Sequence, residues 1–195
     1  MDIMDNNDKD KQWQELLEAC INCEKCGLYK TRNKIVFGKG SRDAKIMFVG
    51  EAPGESEDRE GLPFVGRAGK LLDKYMAYVD LSLENVYIAN ILKCRPPQNR
   101  DPDQTEQDSC IDYLRTQTKL TEPKIIVCLG RIAAGRIIKP DFRITSEHGS
   151  WFKKGEIYIT AIYHPSALLR DPTKKAEALL DFKSVREKAV ELGIL

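Results

Sequence analysis

Four groups of residues in this chain have types and spacings that could do chemistry. Cys23-x2-Cys26 is followed much later by Cys94-x15-Cys110, so four thiols come from two distant segments. Thiolates in that number suit zinc or an iron-sulfur cluster, and ligand type alone does not separate the two. Small buried hydrophobes give the same pattern, and Cys20-x2-Cys23 repeats the spacing. Cys20 lies on an apolar helix stripe, so Cys23 and Cys26 are the preferred pair, while Cys128 sits inside an apolar run and reads as core. No CxxxCxxC run of the radical type is present. A metal joining such distant segments would act as a staple.

The second group is Gly50-Glu51-Ala52-Pro53-Gly54-Glu55-Ser56-Glu57-Asp58, continued by Gly61-Leu62-Pro63-Phe64-Val65-Gly66. It contains neither GxxxxGK nor GxGxxG and is therefore no phosphate loop. It reads as a tight, carboxylate-bearing turn that ends on an aromatic face, although Pro-Gly pairs also mark ordinary turns. Asn90 is the third feature, a lone amide in the otherwise apolar or aromatic run Val86 to Leu92. A buried amide must find partners for its oxygen and its NH2, either in a loop or in a ligand with matched edges. The fourth is His164, one of two histidines, which precedes Pro165-Ser166-Ala167-Leu168-Leu169-Arg170. An imidazole there could donate a hydrogen bond to charge growing on a leaving group, or could be a satisfied structural residue. His148, in a turn-like segment, reads as structural.

The elements that must position these residues follow from periodicity. Trp13, Leu16, Leu17 and Cys20 recur at steps of three and four, which predicts a helix delivering Cys23 and Cys26 into a loop. Four short apolar runs, Lys45 to Val49, Val86 to Leu92, Ile125 to Leu129 and Ile157 to Tyr163, have the composition of strands buried on both faces. Helical patterns at Arg67 to Val79, Thr105 to Gln117, Ile132 to Ile138 and Lys174 to Leu192 alternate with them. The predicted fold class is α/β, a three-layer α/β/α sandwich around a central, mainly parallel four-stranded sheet. Ligands in such sheets sit beyond the carboxyl ends of the strands, where the Gly50 loop, Asn90, Gly130 and His164 all fall.

Length and composition bound the rest. The 195 residues suit a single domain over 11–195, with residues 1–10, rich in Asp, Asn and Lys, expected to be a disordered tail. A net charge of +1 with 31% charged residues excludes a protein that coats DNA nonspecifically, so any nucleic-acid contact must be a local patch. The polar, acidic N-terminus lacks the pattern of a signal peptide and no run is long enough to span a bilayer, which predicts a cytoplasmic location without membrane contact. Six cysteines in a reducing compartment favour metal binding or packing over disulfides.

Taken together, GEAPGESEDREGLPFVGRAGKLLD, VYIANILKCRPPQNRDP, the four spaced cysteines and HPSALLR resemble the family 4 uracil-DNA glycosylases, over about Cys23 to Leu180. The resemblance implies an enzyme of base excision repair that flips uracil out of DNA and hydrolyses its N-glycosidic bond. It implies a [4Fe-4S] cluster, of structural role, on Cys23, Cys26, Cys94 and Cys110. Phe64 would stack on the flipped base, in a pocket shared with Ala52 and Gly54. Asn90 would pair with the uracil O4 and N3-H edge, and His164 would hydrogen-bond O2. The best-known uracil-DNA glycosylases read GQDPY where this chain has Ala52, so their aspartate is missing. Glu51 and Glu57 are then the candidate carboxylates, with Glu57 placed nearer the pocket and able to crowd thymine's methyl.

Around the pocket, Leu168 and Leu169 would supply an apolar wedge for the vacated stack. Arg170, Arg95 and Arg100, with Lys93 behind them, would meet phosphates, and Ser166 and Gly130 could donate to them. The implied partner is uracil-containing DNA, single- or double-stranded, engaged by a monomer located at the nucleoid in a prokaryote. No sequence feature specifies a protein partner such as a sliding clamp. Two other readings remain at this level. Superfamily relatives that are trapped covalently on DNA use a histidine in a basic loop, and the matching segment Lys93 to Arg100 has none. A non-enzymatic iron-sulfur redox or DNA-binding protein would need the thiols but neither Asn90 nor His164.

Overall fold

The computed structural model describes residues 6–195. The chain runs α1 (Asn6–Ile21), β1 (Lys39–Gly40), β2 (Ile46–Gly50), α2 (Glu55–Glu60), α3 (Arg67–Tyr78), β3 (Val86–Asn90), α4 (Gln104–Thr121), β4 (Ile125–Leu129), α5 (Arg131–Ile137), α6 (Ile144–Glu147), β5 (Trp151–Lys154), β6 (Ile157–Ile162), α7 (Pro165–Arg170) and α8 (Lys175–Glu191). The strands form one sheet in the order β1-β3-β2-β4-β6-β5. β3, β2, β4 and β6 are parallel, as expected, and β1 and β5 are antiparallel additions at the two edges. The expected four-stranded sheet is thus six-stranded. Both added strands are short and half exposed, so neither carries the continuous apolar signature that marks a strand in sequence.

The pleat sorts alternate residues of each central strand to opposite faces. Met47, Val49, Tyr87, Ala89, Ile126 and Cys128 face one layer, where Trp13 and Cys20 of α1 and Leu114 of α4 cover them. Ile46, Phe48, Ile88, Ile125 and Val127 face the other, against Leu72 of α3, Leu168 of α7 and Phe182 of α8. Three layers result, and Cys128 is core as expected.

Two segments differ from the sequence reading. Residues 6–10 of the expected tail already belong to α1, whose Lys9 pairs with Asp43 and so anchors the first turns; residues 1–5 lie outside the described residues. The glycine- and proline-rich loop after β2 contains α2, a helix of six residues entered at Gly54 and stopped by Gly61 at φ 82°. A single turn and a half, mostly acidic, leaves no apolar period to detect.

Candidate functional site

The strand order reverses at β2 and β4: β2 connects outward to β3 on one side and β4 to β6 on the other. At such a switch point the two connections diverge and leave a crevice beyond the carboxyl ends. A cleft of about 480 Å³ opens there, lined among others by Glu51, Phe64, Asn90, Arg131, His164 and Arg170. Ala52 and Gly54 line it too.

Asn90 is the last residue of β3, in register with Gly50 of β2, and is 2% exposed. Its Oδ1 is buried with no hydrogen-bond partner. An orphaned amide oxygen costs on the order of 1–3 kcal/mol unless something arrives to satisfy it. Gly50 keeps the space in front of it open. A Cβ at that position would lie 2.4 Å from Asn90 Oδ1 and 2.8 Å from the Phe64 ring. The amide and the ring therefore converge on one small cradle.

Phe64 sits at φ 53°, a conformation that bulky residues rarely adopt, and the surroundings hold it there. Lys39 Nζ donates to its carbonyl at 3.1 Å. Glu57 Oε1 accepts from the N-H groups of Val65 at 3.0 Å and Gly66 at 2.9 Å. In α3 only a glycine fits at position 69, because a Cβ there would come within 1.9 Å of the Phe64 oxygen. The Phe64 ring ends 5.7 Å from the His164 ring, tilted by 35°.

His164 caps α7. Its Nδ1 accepts from the Ser166 N-H at 3.1 Å and lies 2.7 Å from Ser166 Oγ. Burial pushes its pKa down to about 4, with Arg170 adding to the effect and Glu57 opposing it. A neutral ring whose Nδ1 is an acceptor must carry its proton on Nε2. Glu51 behaves in the opposite sense. Burial pushes its carboxyl up to about 7, reinforced by Asp101 and opposed by Arg131 and Arg170. Arg131 and Asp101, themselves ion-paired, were not singled out by the sequence; the position of Arg131 directly after Gly130 at a strand end was the available signal.

Several expected contacts with DNA take other places. Leu168 is fully buried in the core beneath α7, because Pro165–Arg170 is helical and turns that side chain inward; Leu169 is partly exposed. Lys93 is 1% exposed and donates to the Asn90 carbonyl at 2.9 Å and to Gln117 Oε1 at 2.6 Å, so it faces no phosphate. Burial pushes its pKa down to about 8, against the pull of Cys110 and Cys20. Arg100 is forked onto Glu106, the residue that closes the capping box of α4. Arg95 bonds Asn99 at 2.7 Å and approaches Glu55 at 3.9 Å. Ser166 is turned onto His164, and Arg170 is exposed beside the cleft. His148 is held by Asp181 at 2.8 Å.

Cys23, Cys26, Cys94 and Cys110 line one cavity between the end of α1, the segment after β3 and α4, and Cys20 lies at its floor. None of them is in a disulfide. Hydrogen-bond donors face two of the sulfurs, Arg32 Nη1 at 3.4 Å from Cys94 Sγ and the Lys93 N-H at 3.4 Å from Cys110 Sγ. Donors of that kind suit thiolates, so the side chains fit a sulfur-ligated group. No three described His, Cys, Asp or Glu side chains close on one point as ligands of a single ion would.

Comparison with known proteins gives the family. The family model described as "Uracil DNA glycosylase superfamily" matches residues 37–184. A type-4 uracil-DNA glycosylase of Archaeoglobus fulgidus is 45% identical over 89% of this chain and 91% of its own length. One from Sulfurisphaera tokodaii is 44% identical over 91% of this chain and 84% of its own, and one from Thermotoga maritima 39% over 84% and 86%. On these matches, this chain belongs to the type-4 uracil-DNA glycosylases of the uracil DNA glycosylase superfamily.

Proposed function

We propose that this protein excises uracil from DNA by hydrolysing its N-glycosidic bond, and that the partnerless Asn90 oxygen beside the Phe64 ring is where the base is read. The flipped uracil stacks on Phe64, and Asn90 Oδ1 accepts its N3-H while the NH2 donates to O4. Cytosine presents an N3 lone pair and an amine in place of O4, so with the amide held in this orientation both Asn90 groups would stay unpaired, at about 1–3 kcal/mol each.

His164 donates its Nε2-H to uracil O2. As the C1′-N1 bond breaks, the electron pair moves onto the base and O2 gains charge, which the neutral donor stabilises without a proton having to be removed first. The sugar becomes cation-like. Glu51, whose pKa near 7 lets it hold or release a proton at working pH, orients a water, takes its proton and leaves the hydroxyl on C1′. This assigns to Glu51 the task for which Glu57 was the first candidate. The Glu57 oxygen that accepts from Val65 and Gly66 is occupied in holding the Phe64 turn.

Cys23, Cys26, Cys94 and Cys110 would hold a [4Fe-4S] cluster, which supplies a crosslink between segments and no step of the hydrolysis. Arg170 lines the cleft where the strand would pass, Leu169 and Arg95 would meet the strand beyond it, and the protein acts on DNA as a cytoplasmic monomer. No described helix is long and apolar enough to cross a membrane.

The test is product release. Wild-type protein should liberate free uracil and leave alkali-labile sites in uracil-containing oligonucleotides, and Asn90→Ala should lose this while keeping its iron and melting temperature. Absence of uracil release by the iron-loaded wild type, on single- and double-stranded substrates alike, would refute the reading.

A further inference from the structure

Arg32 lies on the segment that leaves the Cys23-Cys26 turn, and its guanidinium is committed to that turn. Nη1 donates to the Cys23 carbonyl at 2.9 Å and to Cys94 Sγ at 3.4 Å, and Nη2 donates to the Ile21 carbonyl at 2.7 Å. These acceptors come from the end of α1, from the turn itself and from the segment after β3. The two halves of the thiol set are thus joined through one planar fork. Two hydrogens on each terminal nitrogen satisfy all three acceptors at once, which an ammonium cannot do from one point.

The connection continues towards the cleft. The backbone N-H of Asn33 donates to Asp58 Oδ1 at 2.9 Å, and its side-chain amide donates to Oδ2. Asp58 is buried in α2, next to the Glu57 that holds the Phe64 turn.

We propose that Arg32 is a positioning residue for the cluster: it clamps the Cys23-Cys26 turn against Cys94 and stabilises charge on the Cys94 sulfur. This rests on the reading that the four cysteines hold an iron-sulfur cluster. An N-H···S bond to a ligating thiolate favours the more negative, reduced cluster and so raises its potential. Removing the fork also frees the turn that carries two of the four ligands. The Lys93 N-H on Cys110 is a backbone group and is left unchanged by substitution at Arg32.

The experiment compares anaerobically purified wild type, Arg32→Met and Arg32→Lys for iron content, for the rate at which the iron-sulfur absorbance band disappears under excess chelator, and for reduction potential. Arg32→Met should lose its band about 10–100-fold faster, the usual cost of deleting an outer partner of a metal site, and its potential should become more negative. Arg32→Lys keeps the charge without the fork and should fall between. Release rate and potential both unchanged in Arg32→Met would overturn the proposal while leaving the cluster reading intact. Should the Met variant not fold, Arg32→Lys decides in its place, and identity with wild type on both readouts overturns it. A colourless or zinc-loaded wild type would remove the cluster reading itself, and this proposal with it.

Discussion

At the carboxyl ends of β2 and β3 the molecule leaves a buried amide oxygen without a partner and holds Phe64 in a strained backbone conformation. Around the thiols, by contrast, Arg32 and the Lys93 N-H already face the sulfurs, and Lys93 Nζ is shared between two acceptors. The first region keeps an acceptor open and the second is tied together from several segments. That contrast is physically informative. Unsatisfied and strained groups survive only where the rest of the fold over-determines them, and here the two kinds meet on one cradle at the cleft. The contacts around the thiols join distant segments, and their part is to stabilise the fold.

Substitutions can break this comparison by altering chemistry without stability, or the reverse. The largest effect on turnover should come from His164→Ala, with kcat for uracil release falling about 10²–10³-fold, as for other lost charge-stabilising donors. Its melting temperature should drop only a few degrees, about 1 kcal/mol for the lost cap of α7. A comparable fall in stability and activity would mean that His164 is a structural residue after all.

Next is Glu51→Gln, with a loss of about 10²-fold above neutral pH if it serves as the base. Because the ionised form is the active one, wild-type kcat/KM should fall as pH drops below about 7 and level off above it. His164 stays neutral down to about 4 and contributes nothing to that limb. The variant should be flat across neutral pH, and a surviving limb would exclude Glu51.

Gly50→Ala sharpens the comparison from the steric side. Its methyl would occupy the cradle between Asn90 and Phe64, and overpacking of about 1–3 kcal/mol translates to roughly 5–150-fold in kcat/KM. Binding of free uracil, read by calorimetry, should weaken in parallel. The smallest effect on chemistry belongs to Cys110→Ser. Iron should be lost and the melting temperature should fall on the order of 10 °C, a crosslink's contribution, while kcat per folded molecule stays near wild type. A collapse of kcat in folded, iron-free protein would move the cluster from scaffold to active site.

Much of this architecture was legible in the chain. Continuous β-branched runs alternating with helical periods are sufficient for a parallel three-layer fold, since few other arrangements bury both faces of every strand. Asn90, alone among apolar neighbours, and His164, directly after a strand, stood out for the same reason: polar groups interrupting a pattern need a purpose. The edge strands β1 and β5 and the short helix α2 did not, because half-exposed segments of two to six residues carry no complete period.

What the sequence by itself determined is which residues reach the carboxyl edge of the sheet, for chain order and strand direction place them there whatever the packing. What only the tertiary structure decided is where their neighbours point. Leu168 faces the core and Leu169 does not, a distinction set by the rotation of α7 against α3 and α8. Lys93 is buried because acceptors from Asn90 and from Gln117 on α4 meet its ammonium. Glu57 is engaged by the Phe64 turn, whereas Glu51 is buried beside Asp101 and Arg131. Each outcome depends on groups brought together from distant parts of the chain, and no local pattern encodes their meeting.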